Sequence, residues 1–449
     1  MNAESNISNF LADFKLFGNN IAVIYCGTGF SYNYILERIT FWRDKLNYIQ
    51  AGTIVGIEGD FSPESIAILF VLLEQNAIIV PLDINYKNKN ESKYDIAQLE
   101  ILIRINGEKN INLITKDNKY DQNELYKLLI NKNVPGLVLF TSGSSGEPKA
   151  ALHDFSKLLD KFNVKRKALK TINFLLFDHW GGLNTLFHIL SNGGTVVTLE
   201  NRNPVYVCSL IEKYKVELLP TSPTFLNMLL LSRAYEKHKL DSLKIISYGA
   251  EPMPESLLNH LNKLFPNIKL QQTYGLIELG VMRSKSENNG SLWVKIGGEG
   301  FQTRVVDNML QVKSDSAMIG YLNAKSPFTE DGWFITGDTV EEKGEYFKIL
   351  GRKSEIINVG GEKVFPQEVE NVILLMDSVL DVVVYGEKHP FTGNIVCAKV
   401  YLDNVAEKSS YIKQIKIHCK EKLALYKVPI KISIVDEPFF SDRYKKKRK

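Results

Sequence analysis

The chain has 449 residues, 44% hydrophobic and 24% charged, enough to bury a sizeable core and to exclude a disordered, collagenous or coiled-coil protein. Its 55 basic and 51 acidic side chains leave a net charge of +4, too small to make nucleic acid the main partner, although six of the last seven residues are basic. Four scattered cysteines (Cys26, Cys208, Cys397 and Cys419), an N-terminus without signal-peptide layout and no apolar run near the roughly 20 residues of a membrane span lead us to expect a cytoplasmic protein.

In chain order, Thr53–Ile57 reads as a strand, Pro63–Gln75 as a helix and Ala77–Pro81 as a strand. Further strands are expected at Leu137–Thr141, Ile172–Phe177, Thr195–Leu199, Val216–Leu219, Leu243–Tyr248 and Ile268–Gln272, with helices such as Asn203–Tyr214 and Glu255–Phe265 between them. Runs such as IISYG and VVTL are apolar throughout, as in parallel strands covered on both faces. The fold class expected is therefore α/β: a large N-terminal α/β domain, followed by a β-rich stretch from about Ser291. A boundary near residue 350 separates residues 1–350 from a small α+β domain, 351–449, with a helix from Pro366 and strands at Val379–Tyr385, Val396–Leu402 and Lys431–Val435.

The stretch Leu139–Lys149, LFTSGSSGEPK, carries the clearest chemistry. An apolar strand delivers the hydroxyls of Thr141, Ser142, Ser144 and Ser145, the glycines Gly143 and Gly146, and the cation Lys149. Glycines let backbone N–H groups converge on an anion, so this is a phosphate-binding loop; its GxxGxxK spacing is not the GxxxxGK[ST] of a Walker loop. TSGSSGEPK resembles the signature phosphate loop of the adenylate-forming superfamily, which includes acyl- and aryl-CoA synthetases, nonribosomal adenylation domains and luciferases. Five further segments resemble that family in its own order and cover nearly the whole chain. LLEQNAIIVPLD (Leu72–Asp83) resembles a core helix–strand unit. In SYGAEPMP the resemblance places Gly249 and Ala250 beside adenine. In QTYGLIELG it implies Tyr274 and Gly275 at the base and Glu278 on Mg2+; Ile277 stands where the family has a hydroxyl.

In GWFITGDTVEEKGEYFKILGR the resemblance makes Asp338 and Arg352 ribose contacts. A carboxylate accepting two hydrogen bonds suits a cis-diol. SEIINVGGEKVFPQEVE resembles the hinge and mobile glycine loop, with Gly360, Gly361 and Lys363 serving thiol transfer and Ser354 standing where Asp is usual. The terminal PFFSDRYKKKRK resembles the family's lysine-bearing end: register with Arg448 selects Lys445, with Lys446 and Lys447 as competitors and a solvated basic tail as the plain alternative. FDHWGG falls where the family has its acyl-pocket helix, so Asp178 and His179, with Gly249, are substrate-side candidates; a structural role for the histidine is the competing reading.

The resemblance implies an ATP-dependent, Mg2+-requiring acid–thiol ligase with Thr141, Glu278 and Lys445 as its catalytic set. The acyl acceptor is CoA, or the phosphopantetheine of an acyl carrier protein. A non-catalytic nucleotide-binding relative is the alternative from a different class, supported by the departures at Ile277, Ser354 and Tyr444.

Overall fold

The computed structural model describes residues 3–107, 110–116, 121–142, 147–298, 300–403, 408–440 and 446. Two seven-stranded sheets form the larger part. One runs Gly320–Tyr321, Pro148–Asp154, Gly136–Ser142, Ile78–Asp83, Ile54–Gly59, Ile101–Ile105, Ile111–Thr115 from edge to edge. Its central strands pair in parallel, and antiparallel strands close both sides. The other runs Lys269–Gln272, Ile245–Tyr248, Leu218–Thr221, Lys170–Ile172, Thr195–Val197, Ile21–Tyr25, Thr28–Ser31, parallel except for the final pair.

A single apolar cluster joins the two sheets, and the helix Pro63–Glu74 lies inside it. Ser62 caps that helix, a reciprocal Ser62–Ser65 capping box completes its start, and Pro63 suits the first turn. Every residue from Pro63 to Leu73 is buried, as a helix apolar all round requires. The N-terminal helix Ala3–Phe17 seals the same cluster through Ile7, Phe10 and Phe14, with Phe10 and Phe14 edge-on to Phe70.

A six-stranded antiparallel sheet follows: Arg283–Ser286, Trp293–Gly297, Tyr346–Arg352, Phe334–Lys343, Met309–Ser314, Phe301–Val306. It begins a few residues before the expected change of character at Ser291. Beyond Arg352 the chain makes a short turn, Lys353–Glu355, and enters a unit with its own core: helices Pro366–Ile373 and Lys408–Lys422 on strands Val379–His389, Gly393–Leu402 and Lys431–Val435. The expected strand at Ile172–Phe177 is mostly not one. Pairing stops at Ile172, and Phe174 and Phe177 are buried on irregular chain leading into the helix Trp180–Leu190. Apolar runs signal burial, and burial alone does not make a strand. Among the described residues no helix is long and apolar enough to cross a membrane.

Candidate functional site

Three parallel strands end level with one another, with Thr221, Tyr248 and Gln272 in register. The chain just past each end lines a cleft of about 1210 Å3, closed on its far side by the C-terminal unit. A crevice beyond the carboxyl ends of parallel strands is where α/β sheets bind ligands. Gly249 follows the middle strand, and its conformation leaves no room for a side chain. A Cβ there would lie 2.4 Å from Thr273 Oγ1 and 2.7 Å from Thr273 O. The expected reason for this glycine is close approach of a base; what the structure gives it is an internal reason, since two strand ends touch there. Ala250, at φ +66°, is exposed and lines the cleft, followed by Glu251.

Tyr274, Asp338 and Arg352 come from three segments and meet at the cleft. Asp338 and Arg352 are cross-strand partners in the six-stranded sheet. Arg352 Nε donates to Asp338 Oδ1 at 2.7 Å, and the Tyr274 hydroxyl donates to Oδ2 at 2.6 Å. Asp338 is 5% exposed, and burial raises its carboxyl against the opposing pull of Arg352 and Tyr274. Burial and the Asp338 charge together push the Tyr274 phenol well above its ordinary value. Thr336 orders this stretch of the strand: its hydroxyl donates to Leu310 O and accepts the Asp338 N–H, while its carbonyl accepts from Arg352. The geometry presents a fixed carboxylate beside an aromatic ring and a guanidinium, a set suited to a ribosyl group and its base.

Gly275 opens a two-residue strand paired with Gly280–Val281, and Glu278 lies in the turn between them. The Tyr321 hydroxyl donates to Glu278 Oε1 at 2.5 Å, and Lys149 Nζ stands 5.5 Å from the Tyr321 ring centroid. Thr141 is half-buried and pairs across the hairpin with Lys149. One chain of contacts therefore runs from the base of the phosphate loop to Glu278. Ser142 ends its strand; Gly143, Ser144, Ser145 and Gly146 lie outside the described residues. Ile277, at the position of the family hydroxyl, packs against two apolar clusters.

The substrate-side candidates are not on this cleft. His179 Nδ1 accepts the Gly181 N–H at 3.1 Å and caps the helix Trp180–Leu190. Asp178 is buried, with its Oδ2 3.9 Å from Lys93 Nζ. The loop of Gly360, Gly361 and Lys363 is exposed and does not line the cleft. Lys445 lies outside the described residues, whereas its neighbour Lys446 lines the cleft. Three contributors went unnamed in the sequence. Thr336 stood inside the quoted ITGD segment and is detectable as a hydroxyl two residues before the carboxylate, near enough to take its backbone N–H. Tyr321 and Glu251 carried no spacing signal at all.

Mg2+ carried by a nucleotide typically needs one or two protein carboxylates beside phosphates and water. Glu278, half-buried and oriented by Tyr321, fits as that single carboxylate. No cluster of three or more metal-ligating side chains occurs among the described residues, so a self-sufficient metal cage is not what this site provides.

The chain belongs to the AMP-binding enzyme family. The model of that family matches residues 12–329, and the model of the AMP-binding enzyme C-terminal domain matches residues 368–439. It is 28% identical over 346 residues to acyl-CoA synthetase 7 of Caenorhabditis elegans, covering 69% of this chain and 63% of that protein, so it spans less than two thirds of that relative. It is also 28% identical over 313 residues to a 3,4-dihydroxybenzoate–[aryl-carrier protein] ligase of Bacillus anthracis, covering 68% and 70% of the two chains. In fold it matches the crystal structure of the anthranilate CoA ligase AuaEII in complex with anthranoyl-AMP, with a TM-score of 0.83 over 99% of this chain and 95% of that one at 19% identity.

Proposed function

We propose that this protein is an ATP-dependent acid–thiol ligase. A substrate carboxylate attacks the α-phosphorus of ATP, the bond to the leaving pyrophosphate breaks, and an acyl-adenylate forms. A thiol, that of CoA, then attacks the acyl carbon and releases AMP. The observation that carries this reading is the Tyr274–Asp338–Arg352 array, fixed on a cleft whose opposite wall is a separately folded C-terminal unit.

In this reading Asp338 accepts the ribose hydroxyls, Arg352 holds Asp338 ionised and in place, and the ring of Tyr274 flanks the base. Thr141, Ser142 and Lys149, with residues 143–146, receive the phosphates. Mg2+, held by Glu278 when it arrives with ATP, supplies charge neutralisation on the phosphates. Lys445 adds a cation to the transition state, where preorganised charge lowers a barrier most. Two half-reactions on one cleft need two arrangements of the C-terminal unit, and domain movements of this kind are common in multistep enzymes. The exposed loop 360–363 serves the second.

A carrier-protein phosphopantetheine is the alternative acceptor, supported by the similarity to an aryl-carrier protein ligase. Exchange of labelled pyrophosphate into ATP, measured over a panel of short aliphatic, aromatic, hydroxy and amino acids, tests the proposal. Exchange that depends on one class of acid supports it. ATP binding without exchange for any acid sinks it in favour of a nucleotide-binding relative. Transfer from the activated acid to CoA or to a carrier thiol then separates the acceptors.

A further inference from the structure

Two ends of a short terminal segment meet at the cleft. Phe440 and Lys446 pair in an isolated antiparallel bridge, and both line the cleft. Lys446 is gripped from two directions. Its backbone N–H donates to Glu251 Oε1 at 2.5 Å, and Glu251 is itself tied down by the Thr224 hydroxyl, which donates to Oε2 at 2.7 Å. Its ammonium lies 3.3 Å from Glu370 Oε2 and 3.6 Å from Asp381 Oδ1.

Those two carboxylates lie on the C-terminal unit's side of the cleft, 2% and 8% exposed. Each is immobilised by backbone N–H groups of that unit. Glu370 Oε1 accepts the Val384 N–H at 2.9 Å; Asp381 accepts the N–H of Val382 at 2.9 Å and of Phe439 at 3.1 Å. Buried carboxylates are tolerable when a cation and hydrogen bonds compensate them. Lys446 supplies that cation, and an ammonium committed in this way is not free to neutralise a phosphate. Its backbone meanwhile reaches the other wall, at the residue after Ala250.

We infer that Lys446 is a positioning residue: its ammonium ties its point of the chain to the C-terminal unit, its backbone N–H ties the same point to the nucleotide side of the cleft, and the transition-state cation is a different residue, Lys445. The inference rests on the acid–thiol ligase reading and refines it. The two grips differ in permanence. The bond to Glu251 joins the two units and has to open when they rearrange, whereas the ammonium pairs lie within one unit and travel with it.

The experiment measures pyrophosphate exchange and thiol capture of a presynthesised acyl-adenylate separately, in the full chain. Lys446→Ala lowers exchange roughly tenfold through misplacement of the segment, leaves capture within about twofold, and is rescued by Lys446→Arg. The pair Glu370→Gln with Asp381→Asn produces a similar loss, and adding Lys446→Ala to it costs nothing more, because all three residues form one coupled unit. Lys445→Ala falls by about two to three orders of magnitude. The inference is overturned if Lys446→Ala loses as much as Lys445→Ala while the Gln/Asn pair keeps full exchange, since Lys446 would then be the reacting cation. It is equally overturned if Lys446→Ala exchanges like the wild type. Should the wild type bind ATP yet exchange with no acid, the ligase reading fails and the clamp is judged from spin-label distances between the two units. Lys446→Ala then broadens the distribution and Lys446→Arg does not; an unchanged distribution overturns the clamp.

Discussion

The nucleotide wall of the cleft and the glycine loop of the C-terminal unit are built in opposite ways. At the wall, both carboxylate oxygens of Asp338 are held, by Arg352 and by Tyr274, the carboxylate is buried, and the Thr336 hydroxyl fixes the strand backbone that presents it. In the loop, Gly360 and Gly361 sit at φ +60° and +95° with open space where a Cβ would go, and the chain is exposed on both sides. Besides the pairing of its two short flanking strands, hydrogen bonds from the Gly360 N–H to Thr392 O and from the Gly361 N–H to Asn358 Oδ1 hold the loop within its own unit. The wall is preorganised for a ligand that binds in one place. The loop is shaped and uncluttered, as suits a segment that meets its partner only after a rearrangement. What the difference teaches is that, under the proposed ligase reading, one half of the chemistry is held ready and the other half is kept at a distance.

The strongest way to break this comparison is Gly361→Leu. A side chain at φ +95° strains the backbone locally by roughly 1–2 kcal/mol, but the open surroundings leave the fold intact. We expect the thiol-transfer half-reaction to fall by about a hundredfold, the cost of misplacing a positioning element, while pyrophosphate exchange stays near wild type. Equal loss in both assays means that the loop does not act separately from the wall. Asp338→Ala attacks the other side. It removes the ribose acceptor and strips Arg352 and Tyr274 of their partner, so ATP affinity should weaken by about 1.5–3 kcal/mol, read by calorimetry. If affinity is unchanged, the array is structural and the wall is not preorganised for nucleotide.

The smallest effect sharpens the contrast in stability. Gly249→Ala places a methyl against Thr273, and overpacking of this kind costs about 1–3 kcal/mol; Gly361→Ala meets no neighbouring atom and costs only the local backbone strain. Denaturant midpoints for the two variants should therefore rank Gly249→Ala as the less stable. The reverse order would show that the strand ends beside the cleft yield more readily than their spacing implies.

Much of this molecule is readable along the chain. The loop proposed to bind phosphate stands out because its glycines, hydroxyls and lysine are contiguous and follow an apolar strand. The α/β and β-rich regions are visible in the change from apolar runs to Gly-punctuated strands, and the small C-terminal unit in its return to helix. The N-terminal helix is legible in principle, since Ile7, Phe10 and Phe14 fall on one face. Elsewhere a local signal pointed to the wrong cause. His179 in HWGG resembles a pocket residue and serves as a helix cap, because a side chain at that position can accept the orphan N–H of the first turn.

The sequence by itself determined the family resemblance and the fold class, because these depend on short-range patterns of polarity and backbone freedom. Only the tertiary structure decided that Tyr321 orients Glu278 across 43 positions, that Arg352 faces Asp338 across a sheet, and that Lys446 is held between Glu251, Glu370 and Asp381. Such pairs are set by strand register and by the packing of separate units. No spacing along the chain encodes them, and the charge of a lysine in a basic run says nothing of which carboxylate it will meet.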